Sequence, residues 1–251
     1  MEKGHNLKGR KVLVTGGSRG IGRGMAEALA DAGARLFVTA RGDDDARRAA
    51  SEIGGGATGL AYEAAVGEEA HERFAKEAWQ QAGGFDVVFN NAGSVVMAPA
   101  LDTTQDNWDE LVATNLSSVF WMSRAFGRRM LEAGGGKIVN VASDMGIRGE
   151  EGWAAYSATK GGVVALSKSL AWEWAPKVTV NIIAPGPFDT PSNAPAFSMP
   201  EVLEQVKQRV PLGLVGNPKQ HLGPLAILLA GSGSDFMTGA VFRVDGGICR
   251  S

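Results

Sequence analysis

Tyr156 and Lys160 stand four residues apart in the run Ala154-Ala155-Tyr156-Ser157-Ala158-Thr159-Lys160. On a helix that spacing stacks a phenol beside an ammonium on one face. A tyrosine hydroxyl ordinarily titrates near pH ~10, and a fixed neighbouring cation favours its phenolate. A drop of roughly 2 to 3 units would poise it for proton transfer near neutral pH. Only two tyrosines occur in the chain. The spacing itself is common on helices, so the surrounding elements must decide what it means.

Those elements begin at Lys11-Val12-Leu13-Val14-Thr15, a short apolar strand that runs directly into Gly16-Gly17-Ser18-Arg19-Gly20-Ile21-Gly22. Ile21, Met25, Ala28 and Leu29 then recur at helical spacing until Gly33, which suits a C-terminal cap. A strand, a glycine turn and a helix start form an anion site: the backbone can approach a pyrophosphate, and free N–H groups and the helix dipole bind it. A plain glycine turn is the alternative. A second alternative is a hydrolase elbow, because Gly16-x-Ser18-x-Gly20 also fits that pattern, with His71 or His221 as the base. Only one strand fits before Thr15, whereas several normally precede such an elbow.

Further strands are expected at 35–40, 58–62, 86–90, 137–142, 178–183 and 241–244, beside the first at 11–15, with helical patterns between them. Strict alternation of β and α units predicts an α/β fold: one Rossmann-like, doubly wound, parallel seven-stranded sheet with helices on both faces, spanning 1–251 as one domain. Gly16, Asn91, Ser143 and Pro185 all follow strands, at the edge where such sheets bind ligands.

Taken in order, these pieces resemble the short-chain dehydrogenase/reductase family over nearly the whole chain. The match comprises Thr15 to Gly22, Asn90-Asn91-Ala92-Gly93, Asn115, Ser143 thirteen residues before Tyr156, Tyr156 with Lys160, Pro185-Gly186, Thr190 and Asp245-Gly246-Gly247. The resemblance implies a catalytic set of Asn115, Ser143, Tyr156 and Lys160. Tyr156 would be the acid/base, Ser143 a hydrogen-bond partner of the carbonyl oxygen, and Asn115 the holder of a water reaching Lys160. It implies a nicotinamide dinucleotide held by Gly16, Ser18, Arg19, Ile21, Arg41, Asn91, Ala92, Gly93, Tyr156, Lys160, Pro185, Gly186, Phe188 and Thr190.

The family's acidic ribose-binding position aligns with Ala40, followed by Arg41, so NADP(H) is expected ahead of NAD(H). Asp43, Asp44 and Asp45 either oppose a phosphate or begin the next helix, and the helix reading is favoured. The residue contacting adenine is open between Glu63 and Ala64. Asn115 lies in what reads as one long helical pattern from Gln105 to Leu131, whose excess of large apolar residues, with the resemblance, implies a homodimer or homotetramer.

A formal charge of −2 gives no basic surplus for nucleic acid. The single cysteine, Cys249, permits no internal disulfide, and His5, His71 and His221 lack metal spacing. The opening residues lack the apolar core of a signal peptide, and no apolar run is long enough for a membrane span. A cytoplasmic enzyme without metal, acting on a small carbonyl or alcohol, is therefore expected. Proline-punctuated residues at about 187–212 read as a substrate lid. Asp144, Met145, Arg148, Glu150, Glu151, Trp153 and Asn193 should shape a polar pocket suited to a small polar ketone or sugar acid, with Arg148 pairing a carboxylate. The alternative substrate is a 3-oxoacyl thioester on acyl-carrier protein or CoA. A nonenzymatic NADP(H)-binding protein is the alternative of another class.

Overall fold

The computed structural model describes residues 6–249; His5 and most of the opening segment judged to lack a signal peptide lie outside them. Seven strands form one wholly parallel sheet in the order β3-β2-β1-β4-β5-β6-β7. They are β1 (Lys11–Val14), β2 (Arg35–Ala40), β3 (Thr58–Ala61), β4 (Val87–Asn90), β5 (Gly136–Val141), β6 (Val178–Pro185) and β7 (Val241–Val244). Each lies within two residues of its expected span. Between them run α1 (Gly20–Asp31), α2 (Asp43–Ile53), α3 (Glu68–Ala82), α4 (Gln105–Val112), α5 (Ser118–Ala133), α6 (Met145–Arg148), α7 (Ala154–Trp174), α8 (Ala194–Phe197), α9 (Pro200–Arg209) and α10 (Gly223–Ala230).

Alternate strand residues enter different cores, as a pleated sheet covered on both faces requires. Val12, Val14, Leu36, Val38, Val87 and Phe89 pack with Met25, Leu29, Ala226 and Leu229 of α1 and α10. Leu13, Phe37, Val88 and Ile138 face Ala75, Ala78, Met122, Phe126 and Leu170 of α3, α5 and α7. The strand order reverses between the neighbouring strands β1 and β4, which opens a crevice at their carboxyl ends.

The long helix expected from Gln105 to Leu131 is interrupted. A π-helical turn, Ala113–Ser117, separates α4 from α5 and carries Asn115 fully buried. The break sits at an amide that helix interiors tolerate poorly and that finds its partners outside the helix. A buried polar network ties strand ends to helices: Asn90 Nδ2 donates to Asn140 Oδ1 at 2.8 Å and Ser123 Oγ at 3.0 Å, and Asn140 Nδ2 donates to Ser167 Oγ at 2.9 Å. Among the described residues no helix is long and apolar enough to cross a membrane.

Candidate active site

Two loops at the crevice are sewn together by the first threonine of the motif. Thr15 Oγ1 accepts the N–H groups of Asn91 at 2.9 Å and Ala92 at 3.0 Å, while Asn91 Nδ2 donates to Thr15 O at 2.9 Å. A Cβ on Gly22 would come within 2.4 Å of Gly16 O, so only glycine permits this approach. No side chain caps the first turn of α1, leaving N–H groups directed at the crevice. These features fit a dinucleotide pyrophosphate.

The crevice is a cleft of about 1400 Å³. Gly16, Ser18, Arg19, Ile21, Arg41, Asn91, Ala92, Gly93, Ser143, Tyr156, Lys160, Pro185, Gly186, Phe188 and Thr190 all line it. Asn115 does not. Its Oδ1 accepts from Ser94 N at 2.8 Å and its Nδ2 donates to Ser94 O at 2.9 Å. The side-chain amide is therefore committed to Ser94 of the loop that follows β4.

At β2's end Ala40 is buried, while Arg41 is exposed and, like Arg19, forms no ion pair among the described residues. Asp43, Asp44 and Asp45 occupy the first turn of α2. Arg47 pairs with Asp43 at 3.3 Å and Asp44 at 2.7 Å, and Arg48 pairs with Asp45 at 2.5 Å. The acidic triplet thus starts a helix, and two arginines of that helix offset two of its three charges. Glu63 and Ala64 both line the cleft, and Glu63 Oε1 accepts the N–H of Ala64 at 3.0 Å.

Ser143 follows β5, and α7 projects Tyr156 and Lys160 toward it. Lys160 is buried, with Nζ donating to Val141 O at 3.0 Å and lying 5.9 Å from the Tyr156 ring centroid. Burial lowers its ammonium to about 8. Tyr156 departs from expectation: desolvation pushes its phenol up to about 12, a hydrogen bond with Ser143 opposes this, and the charge of Asp144 adds to it. Part of its ring faces the open cleft, where water relieves some of that penalty. Burial, which raises the phenol, also disfavours the charge of the lysine that was expected to lower it.

The substrate end also differs. Arg148, expected to meet a substrate carboxylate, already holds two. Its Nε donates to Asp144 Oδ2 at 2.8 Å and its other arm pairs with Glu150 at 2.5 Å, while Glu150 also pairs with Arg209 of α9 at 2.5 Å. Glu151 does not line the cleft, but Arg209, Val95, Met97, Met199, Val202 and Val206 do. Met199, Val202, Val206 and Arg209 belong to the 187–212 segment expected to shape the pocket, whereas Val95 and Met97 carried no signal in the sequence. No histidine of the described residues lines the cleft. His71 is fully buried and His221 Nδ1 accepts from Asn217 N at 2.8 Å, so Ser18 has no base beside it. No group of three or more His, Cys, Asp and Glu is placed to hold a metal among the described residues.

The profile of the family described as short chain dehydrogenase matches residues 10–201. The 3-oxoacyl-[acyl-carrier-protein] reductase of Vibrio cholerae is 34% identical over 249 residues, covering 97% of this chain and 98% of that one. The 2-dehydro-3-deoxy-D-gluconate 5-dehydrogenase of Bacillus subtilis is 35% identical, covering 96% and 95%. Among solved structures, a gluconate 5-dehydrogenase from Burkholderia cenocepacia in complex with NADP and tartrate is 33% identical with a TM-score of 0.92, covering 98% and 97%.

Proposed function

The chain belongs to the short-chain dehydrogenase/reductase family of oxidoreductases, and from that premise we propose that it interconverts a small hydroxylated ketone and the corresponding secondary alcohol with NADP(H). The observation that carries the reaction is the convergence of Ser143, Tyr156 and Lys160 on one wall of a cleft whose other end fits a pyrophosphate. When bound, the nicotinamide supplies or takes the hydride. Tyr156 gives its proton to the carbonyl oxygen in reduction and takes it back in oxidation. Ser143 shares the charge that develops on that oxygen. Lys160 orients the ribose beside the phenol, and the backbone of Asn91 to Gly93 and Pro185-Gly186 sets the depth of the ring.

Arg41 and Arg19, free of acidic partners among the described residues, support a 2′-phosphate on the cofactor. A charge-assisted hydrogen bond contributes about 1.5 to 3 kcal/mol. Arg41→Ala is therefore expected to weaken NADPH roughly tenfold to a hundredfold and leave NADH nearly unchanged, as read by fluorescence titration. Tighter binding of NADH than NADPH by the unmodified protein would refute the coenzyme assignment.

For the substrate, Arg148 and Arg209 are already paired with Asp144 and Glu150, which leaves the uncharged Ser94 and Asn193 to meet hydroxyl groups and favours a hydroxylated ketone over its carboxylated form. Residues 187–212, including α8 and α9, act as the lid. The apolar stretch Val95, Met97, Met199, Val202 and Val206 favours the second reading, a 3-oxoacyl thioester. NADPH oxidation across keto sugars, keto acids, plain ketones and acetoacetyl thioesters separates them. A strong preference for thioesters overturns the hydroxylated-ketone reading. We also take the half-exposed Trp108, Phe120 and Trp121 of α4 and α5 as an assembly face for a homodimer or homotetramer, tested by sedimentation.

A further inference from the structure

At the substrate end of the cleft one carboxylate is held by two arginines from different elements. α6 ends at Gly149, whose φ of 65° glycine adopts without steric cost, and Glu150 follows it into contact with Arg148. Arg148 Nη2 lies 2.5 Å from Glu150 Oε2, and Arg209 Nη1 of α9 lies 2.5 Å from Glu150 Oε1. Each carboxylate oxygen thus meets its own guanidinium group. The remaining arms of Arg148 fix its plane, with Nε donating to Asp144 Oδ2 at 2.8 Å and Nη1 to Gly149 O at 3.3 Å. Arg148, Glu150 and Arg209 all line the cleft.

Two guanidinium groups converging on one carboxylate make an anion seat, and here a side chain of the protein fills it. Desolvation opposes the charge of Glu150, yet Arg209 and Arg148 hold its carboxyl below the ordinary range, so the occupant is ionised at neutral pH. It is also tethered, one glycine beyond Arg148. Tethering gives it an effective concentration on the order of millimolar or above, which a free carboxylate must exceed to displace it. With Asp144 and Glu150 in place, two carboxylates balance two guanidinium groups. Without Glu150, both arginines would face Asp144 alone.

We propose that Glu150 is a specificity-determining residue: by filling the seat formed by Arg148 and Arg209 it closes the substrate end to carboxylates, and its removal lets the cleft take a carboxylated ligand. The proposal deepens the reading of this cleft as the site of a hydroxylated ketone and rests on it. Arg148, paired with Asp144 and with a side chain 17% exposed, is the fixed arm of the seat. Arg209 is 55% exposed, makes no ion pair but that with Glu150 among the described residues, and is the arm that an incoming anion recruits. An ordinary surface ion pair, which contributes little, is the competing account. It predicts no new affinity for anions when Glu150 is removed.

Calorimetric titration of the NADPH-saturated protein with glycerate and with glycerol, in chloride-free buffer at pH 7, tests this without turnover, because NADPH reduces neither probe. The probes share two hydroxyl groups and differ in the carboxylate. Wild type is expected to bind glycerate no more tightly than glycerol. Glu150→Ala, which empties the seat, should tighten glycerate by at least roughly tenfold and leave glycerol nearly unchanged. Adding Arg209→Gln to Glu150→Ala should remove most of that gain. An unchanged affinity for glycerate in Glu150→Ala would overturn the proposal. So would an equal gain for glycerol, which marks opened space rather than an anion seat, or a gain that survives the loss of Arg209. A wild-type preference for glycerate would show that Glu150 does not close the seat. If Glu150→Ala does not fold by circular dichroism, Glu150→Gln keeps the side chain's size and cancels its charge; glycerate should still gain over glycerol, and no gain refutes the proposal. Failure of every ketone in the NADPH-oxidation screen would count against the proposed substrate and leave the outcome of the anion titration as it stands.

Discussion

Tyr156→Phe is expected to slow hydride transfer by at least roughly a hundredfold, the scale for losing a general acid, while NADPH binding stays nearly unchanged. The ring remains in place against Trp153, so the cleft keeps its shape and only the proton is removed. No second phenol can substitute, because Tyr62 is buried after β3 between His71 and Phe74. With its phenol held at about 12, the wild-type residue is protonated at neutral pH and ready to donate in reduction. Alcohol oxidation, which needs the phenolate, should then rise with pH, while reduction, which needs the phenol, holds level until the pH approaches that value. Single-turnover absorbance at 340 nm measures both, and near-normal turnover by Tyr156→Phe would refute the acid/base assignment.

Residues whose role depends on local backbone were legible in the sequence, and those whose role depends on partners were less so. The apolar strands announce themselves through composition, since a parallel sheet covered on both faces gives continuous runs of Val, Ile and Leu. Gly16 to Gly22 is similarly self-declaring: its glycines are required by approaches as close as that of Gly22 to Gly16 O. Asn115 was recognisable as anomalous in a helix, yet the π-helical turn around it depends on Ser94, twenty-one residues away. Arg148 illustrates the same limit more sharply. Its charge suggested a free anion receptor, but Glu150 and Asp144 on its own loop satisfy it, and Arg209 enters from another helix. The expected fall in the Tyr156 pKa failed for a related reason: spacing places a cation beside a phenol but carries no information on how dry their surroundings are.

Lys160→Met is expected to cut turnover at least roughly a hundredfold and to weaken cofactor binding, yet to make the fold more stable at pH 7. The wild-type ammonium is 4% exposed and has one protein acceptor among the described residues, the carbonyl of Val141. An ammonium so placed loses hydration that a single carbonyl does not replace. The same cost lowers its titration from an ordinary 10.5 to about 8. Between those values the unfolded chain binds more protons at this site than the folded one, so wild-type stability rises with pH across the window. Below pH 8 the full penalty is present, on the order of a few kcal/mol; above 10.5 the titration difference has gone. Methionine has similar length and no charge, so it escapes the penalty. Its stability advantage should be largest at pH 7 and shrink as pH rises through 8 toward 10.5. Urea unfolding of both proteins at pH 7 and pH 9.5 measures this. A methionine variant less stable than wild type at pH 7 would show that the buried ammonium is stabilising, and an advantage that does not narrow with pH would show that folding does not lower its titration. The wild-type chain would then not be sacrificing stability to keep this charge beside Tyr156.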